Sequence, residues 1–346
     1  MNNMGITEEP KKASKIKDFS IDEGTVDTAL RPSGWDEYVG QDKVKKNLKV
    51  IIDAAKRRKE PMDHVLFAGP AGLGKTTLAY LCGREMGANI KTTSGPALEK
   101  AGDLAAVLTN LESGDILFID EAHRINRLIE EVLYPAMESR KLHLIIGKGP
   151  AARTIALDLP PFTLIAATTR ENLLSQPLRS RFGATFRLGF YEPEDIKKII
   201  KRSSSILGLK IKDEAVSVLA AASRATPRIA NRIVKRARDF VEIDGGGVVD
   251  ERAAQETLNL LEIDSAGLEP HDRRLLEIII EKFAGGPVGV NTLAAALSED
   301  RGAIEDIYEP YLMAIGFLQR TPSGRVVLPP AYTHLSKDSK KQKELF

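Results

Sequence analysis

Gly69-Pro-Ala-Gly-Leu-Gly-Lys75-Thr76-Thr77 lies directly after a short apolar run at 64–68 and directly before a helical pattern. It fits G-x-x-x-x-G-K-[ST], and the strand before it and the helix after it are the setting in which that pattern has a mechanism. Glycines such as Gly72 and Gly74 let backbone N–H groups, with that of Leu73 between them, close around phosphate oxygens, and the helix start adds its positive end. Lys75 then reaches the β and γ phosphates, the Thr76 hydroxyl ligates Mg²⁺, and Thr77 continues the first turn. The stretch predicts a turn that wraps a triphosphate.

Two further apolar, β-branched runs follow, at 116–119 and 162–167, each separated from the last by enough chain for a crossover helix, which predicts an α/β domain with a parallel sheet. The first ends in Asp120-Glu121, two carboxylates at the sheet edge where ligands bind in such folds. Asp120 would hold the Mg²⁺ shell and Glu121 would polarise the attacking water. Alone, an apolar run ending in Asp-Glu reads equally as a strand that stops at a solvated turn; the glycine loop upstream favours the first reading. His123 invites a metal reading beside those acids, but no second imidazole or thiol is near, so a helix-surface role is expected. The other run ends Ala166-Ala167-Thr168-Thr169-Arg170, where a hydroxyl is placed either to sense a γ-phosphate or simply to end a strand. Pro177-Leu-Arg179-Ser-Arg181-Phe182-Gly183 puts two arginines at a helix end with no acid close in sequence, either solvated or aimed at an anion.

The rest of the chain sorts around this core. Of its 346 residues 42% are hydrophobic, enough for two or three domains. Residues 1–20 are polar and lysine-rich and read as a disordered lead, and 21–190 form the α/β domain. An amphipathic helix is expected over 38–58, and a hairpin inserted over 142–159. Four helices and no strands are expected over 191–263, with Gly245 to Gly247 as a breaker. Residues 264–335 read as three helices and a short hairpin, the order of a winged helix, with a polar tail at 336–346.

Fifty basic residues stand against 48 acidic ones, so a polyanion partner must be held by a local patch, and the C-terminal 30 residues are where basic residues exceed acidic ones. The single cysteine, Cys82, excludes an internal disulfide and sits in an apolar pattern that predicts core packing. No run approaches the roughly 18 apolar residues needed to span a bilayer, and the first 17 lack a signal-peptide core, which points to the cytoplasm.

The order of motifs, glycine loop, Asp-Glu strand, Thr-Thr strand end, Arg-Phe helix end and helical lid, is similar to that of the AAA+ ATPases. Within them, four stretches resemble the RuvB family of Holliday-junction branch-migration motors. They are Leu30-Arg31-Pro32 with Tyr38-Val39-Gly40-Gln41, then Pro177 to Gly183, then Thr226-Pro227-Arg228-Ile229-Ala230-Asn231-Arg232, then Gly316-Phe317-Leu318-Gln319-Arg320-Thr321-Pro322. The likeness runs from about 30 to 335. It implies that Leu30, Arg31, Tyr38 and Val39 border the adenine and ribose, that Thr169 is the first sensor and Arg228 the second, and that Arg181 is an arginine finger reaching a neighbour's ATP. Tyr191, and Glu138, Ser139 and Arg140, would also line the nucleotide site. Arg320 and Arg325 in the wing would contact DNA phosphates, and Leu144, Ile145 and Ile146 would form the patch that docks on RuvA. The family often has another basic residue near Ser323 and a glycine where Ala166 stands; the first departure implies a weaker phosphate contact.

An arginine finger comes from another subunit, so the resemblance implies a homo-hexameric ring on duplex DNA, driven by ATP and Mg²⁺, working with RuvA and the RuvC resolvase. Two rivals share parts of the pattern. A clamp-loader-like or remodelling AAA+ protein would act on protein, against which the winged helix argues. A nucleotide-switched DNA-binding regulator would not turn ATP over, against which Glu121 argues.

Overall fold

The computed structural model describes residues 25–146 and 153–336. The lead at 1–20, the tip of the inserted hairpin and the basic tail at 337–346 lie outside the described residues.

The first part of the chain runs α1 (Thr25–Leu30), α2 (Asp42–Arg58), β1 (Val65–Ala68), α3 (Lys75–Met86), β2 (Ile90–Ser94), α4 (Ala101–Thr109), β3 (Ile116–Asp120) and α5 (Arg127–Ser139). It continues with β4 (Lys141–Ile146), β5 (Arg153–Asp158), β6 (Thr163–Thr168), α6 (Gln176–Arg179) and β7 (Ala184–Arg187). Five strands form one parallel sheet in the order β2-β3-β6-β1-β7. The central three are the apolar runs of the sequence, and every residue of β1 and β6 is buried, as strands covered on both faces must be. The edge strands β2 and β7 were not expected: Ile90-Lys-Thr-Thr-Ser94 and Ala184-Thr-Phe-Arg187 are half-exposed and carry polar residues. Helix α2 begins four residues later than expected because Gly40 and Gln41 both take left-handed backbone. Cys82 is fully buried in the core, and burial pushes its thiol up to about 12, which leaves it a packing residue.

Strands β4 and β5 pair antiparallel, Lys141 opposite Asp158 through Ile146 opposite Arg153. Leu142 is buried against the core, Leu144 packs partly on it, and all six residues of β5 are exposed.

The lid comprises α7 (Pro193–Ile206), β8 (Lys210–Ile211), α8 (Asp213–Ala221), α9 (Pro227–Asp244), β9 (Val248–Val249) and α10 (Glu251–Leu260). The expectation of no strands after Tyr191 is corrected: β8 and β9 form a two-residue parallel ladder, too short to leave an apolar run. Gly245, at φ 77°, ends α9. Apolar residues of the lid join those of one sheet face in a single core.

The third unit has α11 (Pro270–Phe283), α12 (Val290–Leu297), α13 (Arg301–Ala303), a π turn (Ile304–Tyr308), α14 (Glu309–Ala314), β10 (Leu318–Thr321), β11 (Gly324–Val327) and α15 (Pro329–His334). The third helix, expected to be continuous, is interrupted by the π turn, and α15 was not expected. Gly324 is obligatory in the wing: its φ is +143°, and a Cβ would lie 2.5 Å from the carbonyl oxygen of Val288, which bridges to Arg325.

Candidate functional site

The glycine loop holds its shape because side chains are excluded from it. A Cβ on Gly69 would lie 2.4 Å from the Leu188 carbonyl oxygen, and one on Gly74 would lie 2.6 Å from the Tyr38 hydroxyl. Lys75 opens α3 and folds back over the loop, its Nζ donating to the carbonyls of Gly69 and Pro70 at 2.7 Å each. Burial lowers its pKa to about 8, with nearby Asp120 opposing the shift and Arg228 adding to it.

Thr76 Oγ1 donates to Asp120 Oδ2 at 3.2 Å, so the hydroxyl and carboxylate named for the metal face each other. The other Asp120 oxygen accepts from the Glu121 amide at 2.8 Å. Glu121 takes left-handed backbone at the end of β3, which turns its side chain out of the sheet, where it pairs with Arg124 at 3.1 Å. Thr168 is buried; its hydroxyl accepts from the Arg170 amide at 3.0 Å and bonds His123 Nδ1 at 3.1 Å. Thr169 follows it just past the strand, half-buried. The expected helix-surface role of His123 is therefore corrected: the ring is half-buried and joins the ends of β3 and β6, and burial lowers its pKa.

Beside the loop, a cleft between core and lid is lined by Leu30, Tyr38, Val39, Gly74, Thr77 and Tyr191, all named from the sequence. Pro32, Glu37, Ile199, Arg202, Pro227 and Asn231 line it too and were missed. Arg202 donates to the Leu30 carbonyl and to the Glu37 carboxylate, each at 2.8 Å, and so ties the lid to the segment before α2. Ile199 belongs to an apolar period that is visible in the sequence, but nothing there says that this face of α7 meets another domain. Arg31 is not a lining residue; its guanidinium lies 5.8 Å over the Tyr80 ring. Arg228 begins α9 exposed, and a Cβ on Gly72 would meet its Cβ at 3.1 Å, which sets it against the loop.

Arg181 gathers elsewhere. Its guanidinium pairs with Glu138 at 3.0 Å, donates to the Pro177 carbonyl at 2.6 Å and stacks 4.5 Å over Tyr134. Glu138, Ser139 and Arg140 end α5 there, and none of the four lines the cleft of its own chain. In the wing, Arg320 is half-exposed and paired with Glu309. Arg325 is not at the surface: it is 8% exposed, with Nε donating to Glu309 at 2.6 Å and Nη2 donating to Glu305 at 3.4 Å. In this conformation its charge faces carboxylates and presents nothing to a surface phosphate. Among the described residues no group of three or more His, Cys, Asp or Glu could hold a metal on its own, and no helix is long and apolar enough to cross a membrane.

A parallel sheet with a phosphate-wrapping loop, an Asp-Glu strand end, a helical lid closing over the loop and a winged helix define a P-loop ATPase of the AAA+ class. Residues 30–188 match the Holliday junction DNA helicase RuvB P-loop domain, 191–264 the RuvB AAA lid domain and 265–336 the RuvB C-terminal winged helix domain. The solved RuvB Holliday junction branch migration motor of Thermotoga maritima is similar at 48% identity and TM-score 0.84, over 90% of this chain and 99% of that one. A single-residue mutant of the same protein matches at 48% identity and TM-score 0.84, over 89% and 99%. The chain belongs to the RuvB family, the Holliday junction branch migration helicases, and is an ATP-binding motor of that family.

Proposed function

We propose that the protein drives branch migration of Holliday junctions as a homo-hexameric ring around duplex DNA, each ATP site being completed by the Arg181 of the adjoining subunit. The observation that carries this reading is the placement of Arg181 with Glu138 at the end of α5, away from the cleft where its own chain holds Tyr38, Thr77 and Tyr191. An arginine so placed is available to a second copy arranged head to tail.

Thr76 and Asp120 fit Mg²⁺, which is bound through one or two protein oxygens plus substrate phosphates rather than by an all-protein cage. Bound there, the ion would neutralise charge on the β and γ phosphates. Lys75 swings from the two loop carbonyls onto the phosphates, Glu121 leaves Arg124 to orient the attacking water, and Thr169 and Arg228 contact the γ-phosphate from the core and the lid. The hairpin supplies the RuvA-docking surface. Ile155, the cross-strand partner of Leu144, and Leu157, opposite Leu142, extend the patch of Leu144, Ile145 and Ile146. The side chains of Ile145 and Ile146 lie outside the described ones. Arg320 meets DNA phosphates first, with Arg325 behind it, so binding depends steeply on salt and little on sequence. RuvC acts with the same assembly.

The test is ATP turnover and junction migration with duplex, four-way junction and no DNA, each with and without RuvA. Stimulation by junctions together with RuvA is expected. Turnover indifferent to every DNA, or equally fast in a strictly monomeric protein, overturns the reading.

A further inference from the structure

Arg170 follows Thr169 directly, and its guanidinium leaves the core. Nε donates to Asp306 Oδ1 at 2.5 Å, Nη1 lies 3.4 Å from Glu305, and Nη2 donates to the Gly302 carbonyl at 3.3 Å. Gly302 belongs to α13, and Glu305 and Asp306 to the π turn of the winged-helix unit. The lid reaches the same turn. Arg224 stands three residues before the start of α9 in left-handed backbone, and donates to the Ile307 carbonyl at 3.2 Å and to Asp272 at 2.8 Å. On the wing side, Glu305 takes Arg325 at 3.4 Å, and Glu309, immediately after the turn, holds both Arg325 and Arg320.

A five-residue π turn therefore receives one arginine from the core and one from the lid, and its Glu305, together with Glu309 just after the turn, meets the two arginines of the wing. Single π turns set into helices are uncommon and concentrate at functional sites, because the looser hydrogen-bond register is a local cost that packing must maintain. Glu305 is the shared member. It lies equally far from Arg170 and from Arg325, with Arg301 four residues back at 3.1 Å, so a displacement of Arg170 leaves Glu305 to Arg301 and Arg325 of its own unit. Burial pushes the Glu305 carboxyl up, but Arg301, Arg170 and Arg325 together hold it below its ordinary range, so it stays charged between its partners.

We propose that Arg170 is a positioning residue that couples the γ-phosphate-facing end of β6 to the DNA-contacting wing, acting through Glu305 and Asp306 of the π turn. A change at Thr169 reaches Arg170 across a single peptide unit, shifts the turn, and redistributes Glu305 and Glu309 over Arg325 and Arg320. The affinity of the wing for DNA phosphates then follows the nucleotide. This rests on the motor reading above, and adds the route by which the two sites communicate.

The experiment compares the full-length wild type with Asp306→Asn, Glu305→Gln and the charge-swapped pair Arg170→Asp with Asp306→Arg. Duplex affinity is measured by titration in a non-hydrolysable ATP analogue and in ADP, alongside DNA-free ATP turnover and melting temperature. For Asp306→Asn and Glu305→Gln, DNA-free turnover within about twofold of wild type is expected, while the ratio of the two affinities shrinks by about fivefold or more. The charge swap restores part of that ratio. A purely structural role would lower the melting temperature and both affinities together and leave their ratio alone, which overturns the proposal, as does a wild-type ratio in both single variants. A wild type that binds duplex equally in both nucleotides overturns the motor reading and this inference with it.

Discussion

The hydroxyls of Tyr38 and Tyr191 lie 3.2 Å apart, and each also reaches the carbonyl oxygen of Leu73, at 3.4 and 3.2 Å respectively. Tyr38 precedes α2, Tyr191 stands where the core gives way to the lid, and Leu73 is inside the glycine loop. Burial pushes Tyr191 up to about 12 and Tyr38 well above its ordinary value, so both remain donors at any working pH. Tyr191→Phe keeps the ring and removes the bond between lid and loop. A net hydrogen bond is worth about 1 kcal/mol, so ATP affinity is expected to fall roughly fivefold, read by titration with a fluorescent nucleotide. An unchanged affinity would show that the loop is set without the lid.

Arg181→Ala should lower ATP turnover about a thousandfold or more while ATP uptake changes little, because an arginine finger acts on transition-state charge. The in-trans arrangement is checked by mixing. Lys75→Ala subunits offer a finger but no working site, and Arg181→Ala subunits offer a site but no finger. Under that arrangement mixed assemblies should recover turnover at interfaces where the two meet; a mixture as inactive as its components would place the finger in its own chain.

The parts of the fold that could be read from sequence are those where burial leaves a pattern. The three central strands are apolar on nearly every residue, and the glycines of the loop mark backbone that no side chain permits. The edge strand at Ile90–Ser94 faces solvent in part, and its Lys91, Thr92 and Thr93 hide it. His123 was misplaced because its partner, Thr168, is 45 residues away and only the sheet brings them together. Arg325 shows the same limit. A basic residue in a wing reads as a DNA contact until folding places Glu309, from a different element, against it.

Lys75 makes nucleotide binding depend on pH. The cationic lysine is the form that attracts the phosphates, and in the free protein burial holds its pKa at about 8, below the ordinary value. Phosphates favour the charged form and so raise that pKa in the complex. Below about 8 the lysine is already protonated and affinity is flat; above it, binding must take up a proton. Affinity should therefore weaken with a limiting slope of about tenfold per pH unit. Titrations of wild type and Lys75→Met between pH 6.5 and 9.5 test this. Equal slopes for the two proteins would assign the pH dependence to another group.

Arg224 and Asp272 form the most deeply buried ion pair that joins the lid to the winged helix, at 2.8 Å with the carboxylate side chain 0% exposed. Removing one partner of such a pair leaves an uncompensated charge, at a cost of about 3–5 kcal/mol, whereas replacing both with apolar groups is often neutral. Arg224→Met should therefore lower the melting temperature by several degrees, and Arg224→Met with Asp272→Leu should recover most of the loss. Burial already raises the Asp272 carboxyl above its ordinary range against the pull of Arg224. Without the arginine that pKa rises further. A group whose folded pKa is raised is penalised when charged, above its folded pKa, and relieved as pH falls below it. The deficit of Arg224→Met relative to wild type should thus shrink between pH 7.5 and pH 5 in thermal scans, while the double variant, with no carboxyl to protonate, shows no such recovery. A deficit independent of pH would mean that the lost contacts with Tyr311 and the Ile307 carbonyl, rather than the stranded carboxylate, carry the effect.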